Sequence, residues 1–291
     1  MDSAIFFNQL FAGLSTASIL LMIAAGLAII YGSMGVINLA HGEFVMLGAY
    51  ATWALQTFFG LGMLISLPLV FVAIGAVGWL IEKGIVSRLY NRPLDTILAT
   101  WGVGIVLQQA ITLGIGSQSR FVQRPEIFDG NLFFGDLVIS NYRLFILGVS
   151  LGMLLVTYLL LTRTEFGTKL RAVIQNREIS ECYGIRAERV YGLTFAYGAA
   201  LAGIAGALVT PLISTTPTMG TTLVVDAFLV VIVGGVGSLV GTALASGLIG
   251  EASAMLSMIF NDTTGRILLL VAIILLIRFR PTGLIPQTVR G

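Results

Sequence analysis

Long apolar runs separated by short polar ones dominate the chain. An α-helix needs about 20 apolar residues to cross the hydrocarbon of a bilayer. Runs of that order lie at 9–31, 43–59, 62–81, 95–116, 144–162, 191–213, 222–239, 241–260 and 265–279. The second and third are close together, and so are the seventh and eighth. The pattern predicts an all-α polytopic integral membrane protein with 8–9 transmembrane helices, and broken or re-entrant helices near 32–43 and 234–241.

Composition agrees. Apolar residues make up 57% and charged residues 10%, against about 25% charged in a soluble domain. Mean hydropathy is +0.97, so lipid is the natural solvent. The start, Met1-Asp2-Ser3-Ala4, has no basic stretch, so the first run reads as a retained span and not a signal peptide. No polar stretch is long enough for a soluble domain. The whole chain, 1–291, reads as one transmembrane domain.

Loop charges give an orientation, because Lys and Arg concentrate on the cytoplasmic side. The 163–190 loop carries Arg163, Lys169, Arg171, Arg177, Arg186 and Arg189. The 82–93 loop carries Lys83, Arg88 and Arg92, and the tail Arg278, Arg280 and Arg290. The 117–143 loop balances Arg120, Arg124 and Arg143 with Glu126, Asp129 and Asp136. With nine spans, the N-terminus lies outside and the C-terminus inside.

Several classes of chemistry are absent from the sequence. A net charge of +2 without a basic, aromatic-interleaved patch excludes a nucleic-acid binder. Cys182 is the only cysteine and His41 the only histidine. No disulfide within the chain, Cys- or His-rich metal site or Ser-His-Asp triad is available. No phosphate-binding Gly-x-x-x-x-Gly-Lys-Ser/Thr loop occurs, so ATP hydrolysis would have to come from another chain.

Four stretches interrupt the apolar runs. Asn38-Leu39-Ala40-His41-Gly42-Glu43 follows Gly32-Ser33-Met34-Gly35. Irregular backbone at membrane depth is tolerated only inside protein or beside a water-filled cavity, and ionisable groups there default to function. Asn38, His41 and Glu43 are therefore candidate pathway residues; alternatively His41 and Glu43 sit at the cytoplasmic interface and cap the next helix. Arg92-Pro93-Leu94-Asp95-Thr96 opens a span carrying Thr100, Trp101, Gln108 and Gln109. Thr100, Trp101 and Gln108 share a helix face by spacing. They serve either a neutral polar solute or interhelical hydrogen bonds.

Asp226 precedes Gly234-Gly235-Val236-Gly237-Ser238-Leu239-Val240-Gly241. Gly237, Gly241 and Ala245 have small-xxx-small spacing, as do Gly198, Ala202 and Gly206, which reads as close helix packing. Asp226 and Glu251 are acidic groups in apolar surroundings. In the 163–190 loop, Leu170, Val173 and Ile174 lie at helical spacing between charges. This is either a surface helix on lipid headgroups or a docking helix for a cytoplasmic partner.

These segments resemble the urea and branched-chain amino acid permeases of bacterial ABC importers. The resemblance rests on Gly35-Val36-Ile37-Asn38-Leu39-Ala40-His41-Gly42-Glu43 with Leu47-Gly48-Ala49-Tyr50, on Gly234-Gly235-Val236-Gly237-Ser238, and on Arg280-Pro281-Thr282-Gly283-Leu284. Their order along nearly the whole chain makes the set specific. Leu94-Asp95-Thr96, Thr100-Trp101-Gly102 and Gln108-Gln109 look like the urea branch, which makes urea the expected solute and a branched-chain amino acid the alternative. The resemblance implies an inner-membrane permease subunit with a second related permease chain, two cytoplasmic ATPases carrying ATP-Mg, and a periplasmic binding protein. It binds no cofactor itself. The resemblance also implies that 163–190 is the ATPase-coupling loop, with Gly167, Leu170, Arg171, Ala172, Asn176, Gly184 and Ile185 as its candidate residues. A stand-alone secondary transporter or channel, using Glu43, Asp226 or Glu251, is the reading from a different class.

Overall fold

The computed structural model describes residues 3–285 other than Asn91 and Asp136. Met1, Asp2, Asp136 and Arg290 of the sequence reading lie outside the described residues. The helices are α1 (Ser3–Met34), α2 (His41–Phe59), α3 (Met63–Gly84) and α4 (Pro93–Gly114). A hairpin, β1 (Asn131–Phe134) and β2 (Leu137–Ser140), follows. Then come α5 (Asn141–Arg163), α6 (Glu165–Gln175), α7 (Arg177–Cys182), α8 (Ala187–Val209), α9 (Met219–Gly234), α10 (Leu239–Ile259) and α11 (Asp262–Phe279).

Among the described residues, six helices are long and apolar enough to cross a bilayer: α1, α3, α4, α5, α8 and α10. This corrects the eight or nine expected from run length. His41, Glu43 and Gln56 dilute the 19 residues of α2. α9 has only 16 residues. α11 carries Asp262, Arg266 and Arg278 within 18 residues. Counting back from nine spans therefore no longer fixes the termini. The hairpin is a second departure, an antiparallel pair in a chain expected to be wholly helical.

α8 is the central helix, packed by α1, α2 and α3. Its glycines and alanines explain why. A Cβ at Gly206 would strike the Val45 carbonyl and stand 3.1 Å from the Ala49 nitrogen. One at Gly203 would lie 2.8 Å from Ile74 Cβ, and one at Gly198 would lie 2.8 Å from the Gly26 oxygen. Ala202 is fully buried between them. Small residues let backbones approach where lipid offers no hydrophobic drive for helices to associate. α1 and α10 run antiparallel by the same means, with Gly32 against Gly237 and Ala17 against Gly250.

The bundle has two distinct ends. At one, Asn8 Oδ1 accepts from the Val138 N–H at 3.0 Å. Gln56 there exchanges two hydrogen bonds with the backbone of Gln123. Tyr142 donates to the Leu208 carbonyl at 2.8 Å. At the other end lie α6, α7 and the turn from α9 to α10. Gly235 and Gly237 make that turn with φ of 101° and 79°, a region open to glycine at little cost. A Cβ at Gly234 would lie 2.6 Å from the Gly241 carbonyl, so the two helices leave the turn in contact. The tail closes over it, with Leu284 N–H donating to the Val233 carbonyl at 2.8 Å.

Candidate functional site

α1 ends at Met34, and residues 35–40 turn back without regular structure. α2 then begins at His41, whose Nε2 stands 3.0 Å from the Ile23 carbonyl oxygen. Ile23 is about three helical turns before the end of α1, so α2 starts deep inside the bundle. α9 starts opposite it. A Cβ at Gly42 would lie 2.7 Å from the Gly220 carbonyl carbon. Two helix N-termini, each carrying a partial positive charge, thus meet within the protein.

Polar side chains stitch the break together. Asn38 Oδ1 accepts from the Ala40 N–H at 3.0 Å, an Asx turn that sets the entry into α2. Thr100 on α4 accepts from the Leu39 N–H at 3.2 Å and donates to the Ile97 carbonyl at 3.0 Å. Asn38, His41 and Thr100 are fully buried, and Glu43 nearly so. His41 and Glu43 thus lie in the interior of the bundle. Asn38 Nδ2, His41 Nδ1 and Glu43 Oε2 have no hydrogen-bond partner among the described residues. Leaving such a group unpaired costs about 1–3 kcal/mol. Each is an unmet hydrogen-bonding capacity in the interior of the bundle.

The face shared by Thr100, Trp101 and Gln108 does not hold. Thr100 points inward, Gln108 is half-buried, and Trp101 is 55% exposed on the outer side of α4. Asp226 belongs to a different place. On α9 it accepts from Arg266 of α11 at 2.6 Å, in a cavity of about 570 Å³ between α1, α9, α10 and α11. Arg143 at the start of α5 and Asp262 at the start of α11 line the same cavity. Sequence reasoning missed Arg266 and counted Arg143 only as loop charge. The available signal was an acid in the apolar run 222–239 and a base, Arg266, in the run 265–279.

The 163–190 segment forms two short helices. Thr164 caps α6 by accepting from the Gly167 N–H at 3.4 Å, and Asn176 caps α7 by accepting from the Ile179 N–H at 2.9 Å. Gly184 ends the segment with φ of 82°. Leu170 and Val173 are buried against Ala187, Val190 and Tyr191 of α8, with Ile185 beside them. The inward stripe is therefore occupied by the chain itself. Ile174, Ile179 and Tyr183 are the apolar side chains left exposed, beside half-buried Ala172. Arg171 donates to the Leu161 carbonyl, tying α6 to the end of α5. A Cβ at Gly167 would lie 2.7 Å from the Leu160 oxygen. Arg177 stands over Tyr90 and Tyr191, 5.9 Å from each ring. Tyr90 donates to Glu82, and burial together with that bond pushes its phenol above the usual range.

Helix breaks enclosed in an apolar bundle are a mark of membrane transport proteins. The family model described as the branched-chain amino acid transport system / permease component matches residues 9–277, and the chain belongs to that family. It is thus a multi-pass membrane permease and not an enzyme. It is 30% identical to BraD, a high-affinity branched-chain amino acid transport system permease protein of Pseudomonas aeruginosa. That alignment covers 96% of this chain and 95% of the relative. It is 30% identical to LivH of Escherichia coli with the same coverage. To LivM of the same organism it is 28% identical, over 93% of this chain and 68% of the relative.

These matches correct two expectations. The family and the relatives matched are branched-chain amino acid permeases, and urea is not the solute they point to. Several of the residues that suggested urea are spread over the outer side of α4. Asp95 is paired with Arg92 at the surface, Trp101 faces outward, and Gln109 is exposed.

Proposed function

We propose that the chain is a permease subunit of an ABC importer for branched-chain amino acids, and that it forms part of the translocation pathway in the cytoplasmic membrane. The observation that carries this is the family match across residues 9–277. The likeness to both LivH and LivM of one organism supports pairing with a second, related permease chain. Two ATPase subunits holding ATP and Mg²⁺ on the cytoplasmic side, and a periplasmic binding protein, complete the assembly.

The end of the bundle bearing α6 and α7 faces the cytoplasm. What supports this is its charge: Lys83, Arg88, Arg92, Arg163, Lys169, Arg171, Arg177, Arg186, Arg189, Arg278 and Arg280 all fall there. The hairpin end, where α1 begins, then faces outward. ATP-driven closure of the ATPases moves α6 and α7 through Ile174, Ile179 and Tyr183. Leu170 and Val173 pass that motion to α8, and α8 packs on α2 just beyond the break at 38–43. The break and its unpaired polar groups form the part of the pathway that changes between the two access states.

Radiolabelled leucine uptake in cells expressing the full importer tests the reading. ATP-dependent leucine uptake is expected; uptake that survives removal of the ATPases rejects it. Gly184→Trp and Arg171→Glu should each abolish uptake while leaving membrane insertion intact, and normal uptake in both rejects the coupling role of 163–190.

A further inference from the structure

We propose that the cleft between α1, α9, α10 and α11 seats the zwitterionic head and aliphatic tail of an α-amino acid on its way into the bundle. The proposal rests on the function given above and adds a site to it.

Charged side chains among apolar helices are expensive, and they persist where they face one another or a water-filled cavity. Asp226 and Arg266 face one another and line the cavity. They pair at 2.6 Å, yet their side chains remain 27% and 48% exposed, so the pair opens onto the cleft and is not sealed by packing. Arg143 and Asp262 add one further charge of each sign to the same wall. An amino acid presents one carboxylate and one ammonium. The planar fork of Arg266 suits the carboxylate, and Asp226 suits the ammonium. The solute replaces one ion pair by two, which a neutral amide cannot do.

The rest of the lining fits the tail. Leu20, Leu223 and Leu269 supply apolar wall, with Ser253 and Ser257 hydroxyls on α10. The volume of about 570 Å³ lies within the ~300–1,000 Å³ of small-molecule sites. A second observation is independent of the charges. Ser15 of α1 lines the cleft, is only 3% exposed, and its hydroxyl has no hydrogen-bond partner among the described residues. A buried hydroxyl without a partner at the wall of the cleft is a hydrogen-bonding group that a ligand satisfies once the Ser15 side chain turns toward it.

The single native cysteine makes a protection experiment direct. In a Cys182→Ser background first shown to transport, Ser253→Cys or Ser257→Cys is introduced into the assembled importer. Its alkylation rate by a small charged thiol reagent is then measured with and without millimolar leucine. Leucine should slow alkylation at least 3-fold. Isopentylamine, which lacks the carboxylate, and 4-methylpentanoate, which lacks the ammonium, should not. Arg266→Gln should remove the protection and cut leucine uptake at least 10-fold while the importer still assembles. Equal protection by all three compounds, no protection by leucine, or no alkylation at either position overturns the proposal. So does an Arg266→Gln variant that transports and is protected normally. Each of these can occur while the parent importer still takes up leucine, so the cleft can fail without the function failing. An importer that moves no branched-chain amino acid would instead remove the function beneath it.

Discussion

α4 and α8 are nearly the same length and of similar hydropathy, yet they occupy opposite environments. Of their most apolar windows, 11% is buried in α4 and 83% in α8. Hydrophobicity does not sort them, because lipid tails are as apolar as a protein core. Side-chain size does. α8 carries Gly192, Gly198, Gly203 and Gly206 among alanines and is buried without interruption from Gly198 to Val209. α4 carries Leu94, Leu98, Trp101, Ile105, Val106 and Leu113 on a face turned outward. It touches the bundle along a stripe at Thr96, Thr100 and Gly104. In a membrane, small residues mark the inside and large ones the periphery.

The sharpest test of this contrast is a matched pair of substitutions. Gly206→Leu forces side-chain atoms into the α2 backbone and should prevent recovery of folded, monodisperse protein. Overpacking typically costs about 1–3 kcal/mol and sometimes more. On α4 a Cβ at Gly102 meets nothing within 4 Å, and Gly102→Leu should leave thermal unfolding in detergent unchanged. Equal losses in both would break the comparison. Next in size is Thr100→Val, which keeps shape but strands the half-buried Leu39 N–H. A loss of about 1–3 kcal/mol in stability is expected, and none at all would remove α4 from the break. Tyr142→Phe gives up its hydroxyl bond to the Leu208 carbonyl, and the melting temperature should fall by the equivalent of about 1 kcal/mol. Smallest is Leu98→Ala on the outer face of α4, within about 0.5 kcal/mol of the parent.

The same contrast explains what the sequence could disclose. Apolar run length located the long helices well, since each long run is itself a helix. It misjudged α2 and α9, because a run of apolar residues carries no mark of the depth at which a helix begins. The break was legible at Asn38, His41 and Glu43, where polar groups interrupt the run. The hydrogen bond from Leu39 to Thr100 was not, since it joins residues 61 positions apart. The cleft was half legible. Asp226 stood out in its run, but its partner Arg266 lies 40 residues on, and only packing of α9 against α11 brings them together. The hairpin had no signal strong enough to separate its strands from a loop.

α1 has 32 residues, about 48 Å of helix at 1.5 Å per residue. The hydrocarbon layer is about 30 Å thick. Even at a tilt of about 40°, the upper end of what spanning helices show, such a rod covers about 37 Å along the bilayer normal. Part of it must stand clear of the hydrocarbon. Its first turns hold exposed Phe6 and Phe7, then Asn8 bonded to the hairpin and Gln9 bonded to the end of α10. The helix therefore acts as a mast. It is rooted against α8 and α10 in the bundle and holds at its first turns β1–β2, the one hairpin among the described residues.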